Sequence, residues 1–176
     1  MVKPRLLILS DLFGGESPQW IKYYTKVLES KFDIQYYDVL KLGEIDTSNC
    51  NEKSIHNQFL NTGIDKAVQN LLNLEREKVA VLGFSIGGTI AWKASLKGLN
   101  VSQLIAVSST RLRFETEIPN CEIKLYFGEK DLNMPDLQWF LDLKILNQII
   151  EKQDHQLYFE EKNAIAICDA ILQILD

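Results

Sequence analysis

Histidine is nearly absent from this chain. His56 and His155 are the only two, and neither has a second metal ligand at a useful spacing, so no metal centre is expected. Cysteine is scarce too. Cys50, Cys121 and Cys168 are odd in number, widely spaced and lack any C-x-x-C pair, which points to reduced, mostly packed thiols in a cytoplasmic protein. No apolar run approaches membrane-spanning length. Leu6-Leu7-Ile8-Leu9 is too short for a signal peptide and runs directly into Ser10 and Asp11, so it reads as a strand. A basic tract is missing as well, and the formal net charge is −5. Neither a nucleic-acid nor a membrane partner is therefore expected.

What is present is ordinary globular material, 46% hydrophobic and 24% charged over 176 residues, enough to bury one sizeable core. No repeat, low-complexity stretch or linker divides it, and residues 1–176 are expected to form a single domain. Arg5 to Ser10 is a continuously apolar strand, as when both faces are covered. Ser17-Pro18 reads as a helix start, serine as N-cap and proline first, with Trp20, Ile21, Tyr24, Val27 and Leu28 at helical spacing behind it. Phe32 to Val39 has the aromatic and β-branched content of a second strand, and Lys41 to Asn51 is a polar connection. One helical piece follows around Ile55 to Leu60, and another is opened by a capping-box-like Thr62 and Asp65.

Lys78 to Phe84 is the third strand, and the helix after it is capped by Gly98. Val101–Val107 and Glu122–Phe127 follow as fourth and fifth strands, Pro135 opens a helix, and the last dozen residues are helical. Such alternation predicts an α/β protein, with helices on both faces of a mostly parallel sheet.

Between the third strand and its helix stands Gly83-Phe84-Ser85-Ile86-Gly87, a G-x-S-x-G pattern in strand–turn–helix context. Glycines at 83 and 87 leave room where side chains would collide with neighbouring backbone. The following helix aims unpaired N–H groups at the turn, where an oxyanion can be held. A glycine-rich turn that merely packs closely is the alternative.

This stretch resembles the nucleophile elbow of the α/β-hydrolase family, and the resemblance extends over nearly the whole chain as a reduced, lidless form. It implies a three-layer sandwich with strand order 2-1-3-4-5-6, and a triad in chain order Ser, Asp or Glu, His. Ser85 matches the nucleophile. Asp131, closing Gly128-x-x-Asp131 after the fifth strand, matches the acid, although Gly-x-x-Asp is also a common turn. His155 is the only histidine after Asp131, at a separation short for the family.

Two parsings of the C-terminal part remain open. If Asn147 to Lys152 is the sixth strand, His155 follows its carboxyl end, where the family puts its base. If Gln156 to Glu160 is the strand instead, His155 lies at the wrong end, about 17 Å from Ser85 at roughly 3.3 Å per residue. The base position would then fall near Asn163 or Ala164, and the triad would be broken. His56, on a probable helix before the elbow, reads as a surface or packing residue.

The first-strand loop departs from the family, which often carries His-Gly where this chain has Asp11-Leu12. The oxyanion donors implied are the backbone N–H of Ile86 and of Phe13 or Leu12. Asp11 would either disfavour anionic substrates or simply bond neighbouring amides. Only about a dozen residues join the fourth and fifth strands, where relatives insert a lid, so a shallow, open site is expected. Arg111 or Arg113, with Phe114 behind, could receive a substrate carboxylate or phosphate, or the arginines could be solvated or paired with Glu115 and Glu117. The resemblance thus implies a serine hydrolase of a small acyl ester or thioester that needs no cofactor. A non-catalytic binding protein on the same fold is the rival reading.

Overall fold

The structure, a computed structural model, describes residues 3–48 and 51–173; Cys50 lies outside them. Six parallel strands form one sheet in the order β2-β1-β3-β4-β5-β6. They are β1 (Arg5–Leu9), β2 (Asp33–Tyr37), β3 (Val79–Phe84), β4 (Val101–Val107), β5 (Glu122–Gly128) and β6 (Asn147–Ile150). Because successive side chains of a strand point to opposite faces, apolar strands feed two cores. Leu7, Leu9, Val79, Val81, Leu104, Ala106, Leu125 and Phe127 enter one. Leu6, Ile8, Ala80, Leu82, Ile105, Val107 and Tyr126 enter the other.

Among the described residues seven α-helices cover the two faces. Helices α2 (Val39–Leu42), α3 (Glu52–Gln58), α4 (Ile64–Leu74), α5 (Ile86–Leu96) and α6 (Leu137–Leu143) contribute to the first core. Helices α1 (Ile21–Leu28) and α7 (Glu161–Leu172) pack together over the second. This is the expected three-layer sandwich with the expected strand order.

Several boundaries differ from the sequence reading. Helix α1 begins at Ile21 without a side-chain cap; Ser17-Pro18 precedes it, and Pro18 instead accepts a turn bond from the Ile21 N–H at 3.1 Å. Strand β2 ends before Val39, because the Asp38 side chain accepts from the Leu40 N–H and caps α2. The predicted start at Thr62 does not exist. Helix α3 runs through a π-helical turn (Phe59–Gly63) straight into α4, which keeps Phe59, Gly63 and Ile64 buried. Helix α6 is capped by Asp136, which accepts from the Trp139 N–H, so Pro135 stands before the cap and not inside the helix. Among the described residues no helix is long and apolar enough to cross a membrane. Cys168 is buried, Cys121 half-buried, and both are free.

Candidate active site

Ser85 sits where β3 gives way to α5, with φ 50° and ψ −116°. A non-glycine residue there stores strain of order 1–3 kcal/mol, so its surroundings must hold it. The Ser85 N–H donates to the Val107 carbonyl at 2.8 Å. The two glycines permit the close approach on either side. A Cβ at Gly83 would lie 2.6 Å from the Gly88 backbone, and one at Gly87 would run into the carbonyls of Leu9 and Ser10. The side chain is thereby carried to the carboxyl end of the sheet.

The loops after β5 and β6 bring an acid and an imidazole to the same end. Asp131 is 5% exposed; its Oδ2 lies 2.7 Å from His155 Nδ1, and its Oδ1 accepts from the Asn133 N–H at 3.2 Å. His155 Nε2 lies 3.0 Å from Ser85 Oγ. A carboxylate only accepts hydrogen bonds, so Nδ1 carries the ring proton and Nε2 is left to accept from the serine hydroxyl. The structure takes the first of the two parsings: β6 is Asn147–Ile150, paired in parallel with β5, and His155 follows its carboxyl end.

The first-strand loop is organised by Asp11, which is 2% exposed. Its Oδ1 accepts from the Phe13 and Gly14 N–H groups at 3.2 Å each, and its Oδ2 from the Tyr158 hydroxyl at 3.1 Å. Burial pushes the Asp11 carboxyl above its ordinary pKa, against those three bonds and the nearby His155. Phe13 is therefore corrected as an oxyanion donor, because Asp11 occupies its N–H. The Leu12 and Ile86 amides remain, both belonging to residues that line the cavity at Ser85. Of the two readings of Asp11, bonding to neighbouring amides is the one observed.

No protein-family model matches this chain. It is 27% identical over 164 residues to the uncharacterized protein YczH of Bacillus subtilis (strain 168), covering 87% of this chain and 74% of that one. Among solved structures it superposes on a Xanthomonas campestris pv. campestris protein assigned to the alpha/beta superfamily of hydrolases, with a TM-score of 0.72 at 15% identity over 97% of this chain and 99% of that one. It also resembles a carboxylesterase of Nitrososphaera gargenis, with a TM-score of 0.70 at 14% identity over 98% and 90% of the two chains. The chain has the α/β-hydrolase fold.

On this α/β-hydrolase fold two adjoining cavities, about 360 and 400 Å³, meet at Ser85 and share Leu12, Glu52, Asp131, Asn133 and His155. The smaller alone is walled by Thr110, Arg111 and, from α3, His56. The larger extends past Phe13, Lys130, Leu132 and Tyr158. No lid interrupts the β4–β5 connection, as expected. Even so, α3 supplies a wall that the sequence reading missed, and the half-buried His56 belongs to it. That helix precedes the elbow in the chain, so only tertiary packing brings it here.

The arginines also fall differently. Glu115 pairs with Lys93 at 2.8 Å, and among the described residues neither arginine has a carboxylate at ion-pair distance. Arg113 is tethered through Nη1 to the carbonyls of Thr110 and Asn133 at 2.9 and 3.0 Å. Phe114 is 60% exposed and lines a separate groove beside Lys93 and Lys97, so it is corrected as a substrate contact. A larger cavity, about 590 Å³, lies along β2 and is lined by Tyr36, Tyr37, Asp38 and Lys41; it holds none of the three groups that meet at Ser85. Among the described residues no group of three or more His, Cys, Asp or Glu side chains is placed to hold a metal.

Proposed function

We propose that the protein is a serine hydrolase that cleaves a small carboxylic ester or thioester through an acyl-enzyme. The observation that carries this reading is the continuous relay from Asp131 Oδ2 to His155 Nδ1 at 2.7 Å and from His155 Nε2 to Ser85 Oγ at 3.0 Å. A serine hydroxyl is a weak nucleophile alone, and a hydrogen-bonded imidazole oriented by a buried carboxylate is the group that activates it.

Ser85 Oγ attacks the carbonyl carbon while its proton passes to His155 Nε2. Asp131 holds the ring in the tautomer that accepts this proton and stabilises the imidazolium. The Ile86 and Leu12 N–H groups donate to the oxyanion. The carbonyl carbon then breaks its bond to the leaving oxygen or sulfur, which takes the proton from Nε2. Water attacks the acyl-serine next, giving its proton to His155, and Ser85 leaves with that proton as the carboxylic acid is released. No cofactor enters. The fold shared with a protein described as a carboxylesterase supports an ester as the substrate class.

The test is labelling with a fluorophosphonate probe together with hydrolysis of 4-nitrophenyl acetate, both compared with Ser85→Ala. Both activities are expected in the parent and neither in the variant. Labelling that persists in Ser85→Ala would overturn the reading.

A further inference from the structure

We propose that Arg111 receives a carboxylate on the substrate, so that the ester cleaved at Ser85 carries one negative charge away from its scissile bond. This rests on the reading of Ser85 as nucleophile. Arg111 lines the same 360 Å³ cavity as Ser85, Ile86 and His155. Among the described residues no carboxylate forms an ion pair with it. Of the nearest candidates in sequence, Glu115 pairs with Lys93, and Glu117 lines the groove beside Lys93, Lys97 and Phe114.

A half-buried guanidinium with no carboxylate at ion-pair distance is costly, because part of its hydration is gone and no direct anion contact replaces it. Burial and the neighbouring Arg113 pull it below its ordinary pKa, with Glu115 opposing, yet a guanidinium stays charged at any physiological pH. The group is also oriented in advance. Its carbon lies 5.2 Å from the centroid of the Phe114 ring, and the Arg113 carbon lies 4.4 Å from the same centroid. Arg113 is itself fixed by two carbonyls, so the ring and its two cations form a braced unit with only Arg111 left to bind outward.

The acids near Ser85 do not counter this charge. Asp131 is taken by His155, and Asp11 by Tyr158 and two amides on the other side of the cleft. Glu52 remains exposed on the rim of the Arg111 cavity. It disfavours a second negative charge there, which selects a monoanionic carboxylate over a phosphate dianion.

The experiment compares kcat/KM for matched charged and neutral esters. The acyl-side pair is 4-nitrophenyl hydrogen adipate and 4-nitrophenyl hexanoate; the leaving-group pair is 4-acetoxybenzoate and its methyl ester. In at least one pair the parent protein is expected to favour the anion. Arg111→Gln should lower that charged-to-neutral ratio by roughly 10- to 100-fold, as one charge-assisted contact allows, and Arg111→Lys should restore part of it. A ratio unmoved by Arg111→Gln in both pairs overturns the proposal. So does a ratio that collapses in Lys130→Gln instead, since Lys130 lines the other cavity. If the parent turns over none of the esters, the hydrolase reading fails separately. Calorimetric binding of 4-nitrophenyl hydrogen adipate and of 4-acetoxybenzoate to Ser85→Ala, with and without Arg111→Gln, then decides the role of Arg111 alone. Binding that Arg111→Gln weakens supports it, and binding absent from Ser85→Ala or indifferent to Arg111→Gln overturns it.

Discussion

The backbone of Gln153 crosses Gly128 so closely that a Cβ at residue 128 would lie 2.5 Å from the Gln153 carbonyl oxygen. Around that crossing the acid loop and the histidine loop are stitched together. The Glu129 N–H donates to Ile150 O at 3.0 Å, Lys130 N–H to Gln153 O at 2.8 Å, and Lys152 N–H to Glu129 Oε2 at 2.8 Å. The distance from Asp131 to His155 is therefore set by backbone contact, beneath the side chains that exploit it.

Gly128→Ala is expected to push the Gln153–Asp154 backbone away and carry His155 with it. Ester hydrolysis should fall by roughly 100-fold, the scale of a misplacement of about 1 Å, while far-UV circular dichroism stays native. Unchanged kcat in a folded Gly128→Ala protein would show that the crossing does not position the imidazole.

His155→Ala removes the proposed base and should lower kcat by about 10²- to 10⁴-fold. His56→Ala should act mainly on KM, because His56 walls the cavity whereas Ser85 Oγ is bonded to His155. Steady-state kinetics on 4-nitrophenyl acetate separates the two. A loss of kcat in His56→Ala as large as in His155→Ala would contradict this division.

Asp11 shapes the loop that presents the Leu12 amide. Asp11→Ala deprives the Phe13 and Gly14 N–H groups and the buried Tyr158 hydroxyl of their acceptor. A fall in kcat of about 10- to 100-fold is expected with little change in KM, since an oxyanion contact strengthens only in the transition state. Asp11→Asn, which keeps an acceptor for the two amides, should recover much of it. Equal activity of Asp11→Ala and the parent protein would exclude Asp11 as a positioning residue.

Far from the site, Arg5 grips Glu75 through two bonds of 2.8 and 3.0 Å, and the Tyr37 hydroxyl adds a third at 2.5 Å. The Glu75 side chain is 4% exposed and that of Arg5 31%. Burial raises the Glu75 carboxyl, but Arg5 and Tyr37 outweigh it and leave its pKa below the ordinary 4.5. A depressed carboxylate stabilises the fold above its unfolded pKa, and that contribution is lost as pH falls through the folded one. Arg5→Met should cost about 2–4 kcal/mol at pH 7 by leaving Glu75 buried and unpaired. Thermal melts should show the gap between parent and variant narrowing as pH falls, first above pH 4.5 as the variant protonates its buried Glu75 and then below it as the parent loses its ion pair. A gap independent of pH would rule out the ion pair as its cause.

How much of this was legible in the sequence depended on how local each signal is. The elbow needs five consecutive residues, and Gly83, Ser85 and Gly87 state its steric demands without reference to anything distant. Alternation of strand and helix patterns likewise gave the α/β class, because a strand covered on both faces must be apolar throughout. The position of His155 was not local. It turned on where α6 stops, and the stop is made by Lys144 in the left-handed region at φ 53°, with the Ile145 N–H donating to Phe140 O at 3.1 Å. Lysine carries no turn signal of the kind glycine would, so nothing local ended the helix after Pro135 and both parsings stayed open. Pairing of Asn147–Ile150 with the free edge of β5 decides the matter.

The same holds for the walls of the site. Asp11 meets Tyr158 across 147 residues, and Ser85 meets His155 across 70. The sequence by itself determined the strained turn at Ser85 and the layered sheet, since both follow from short-range sterics and from the period of apolar residues. Only the tertiary structure decided which loop amides Asp11 engages, which helix walls the cleft and which arginine is tied to carbonyls. Those outcomes depend on long-range hydrogen bonds and packing, and no run of neighbouring residues encodes them.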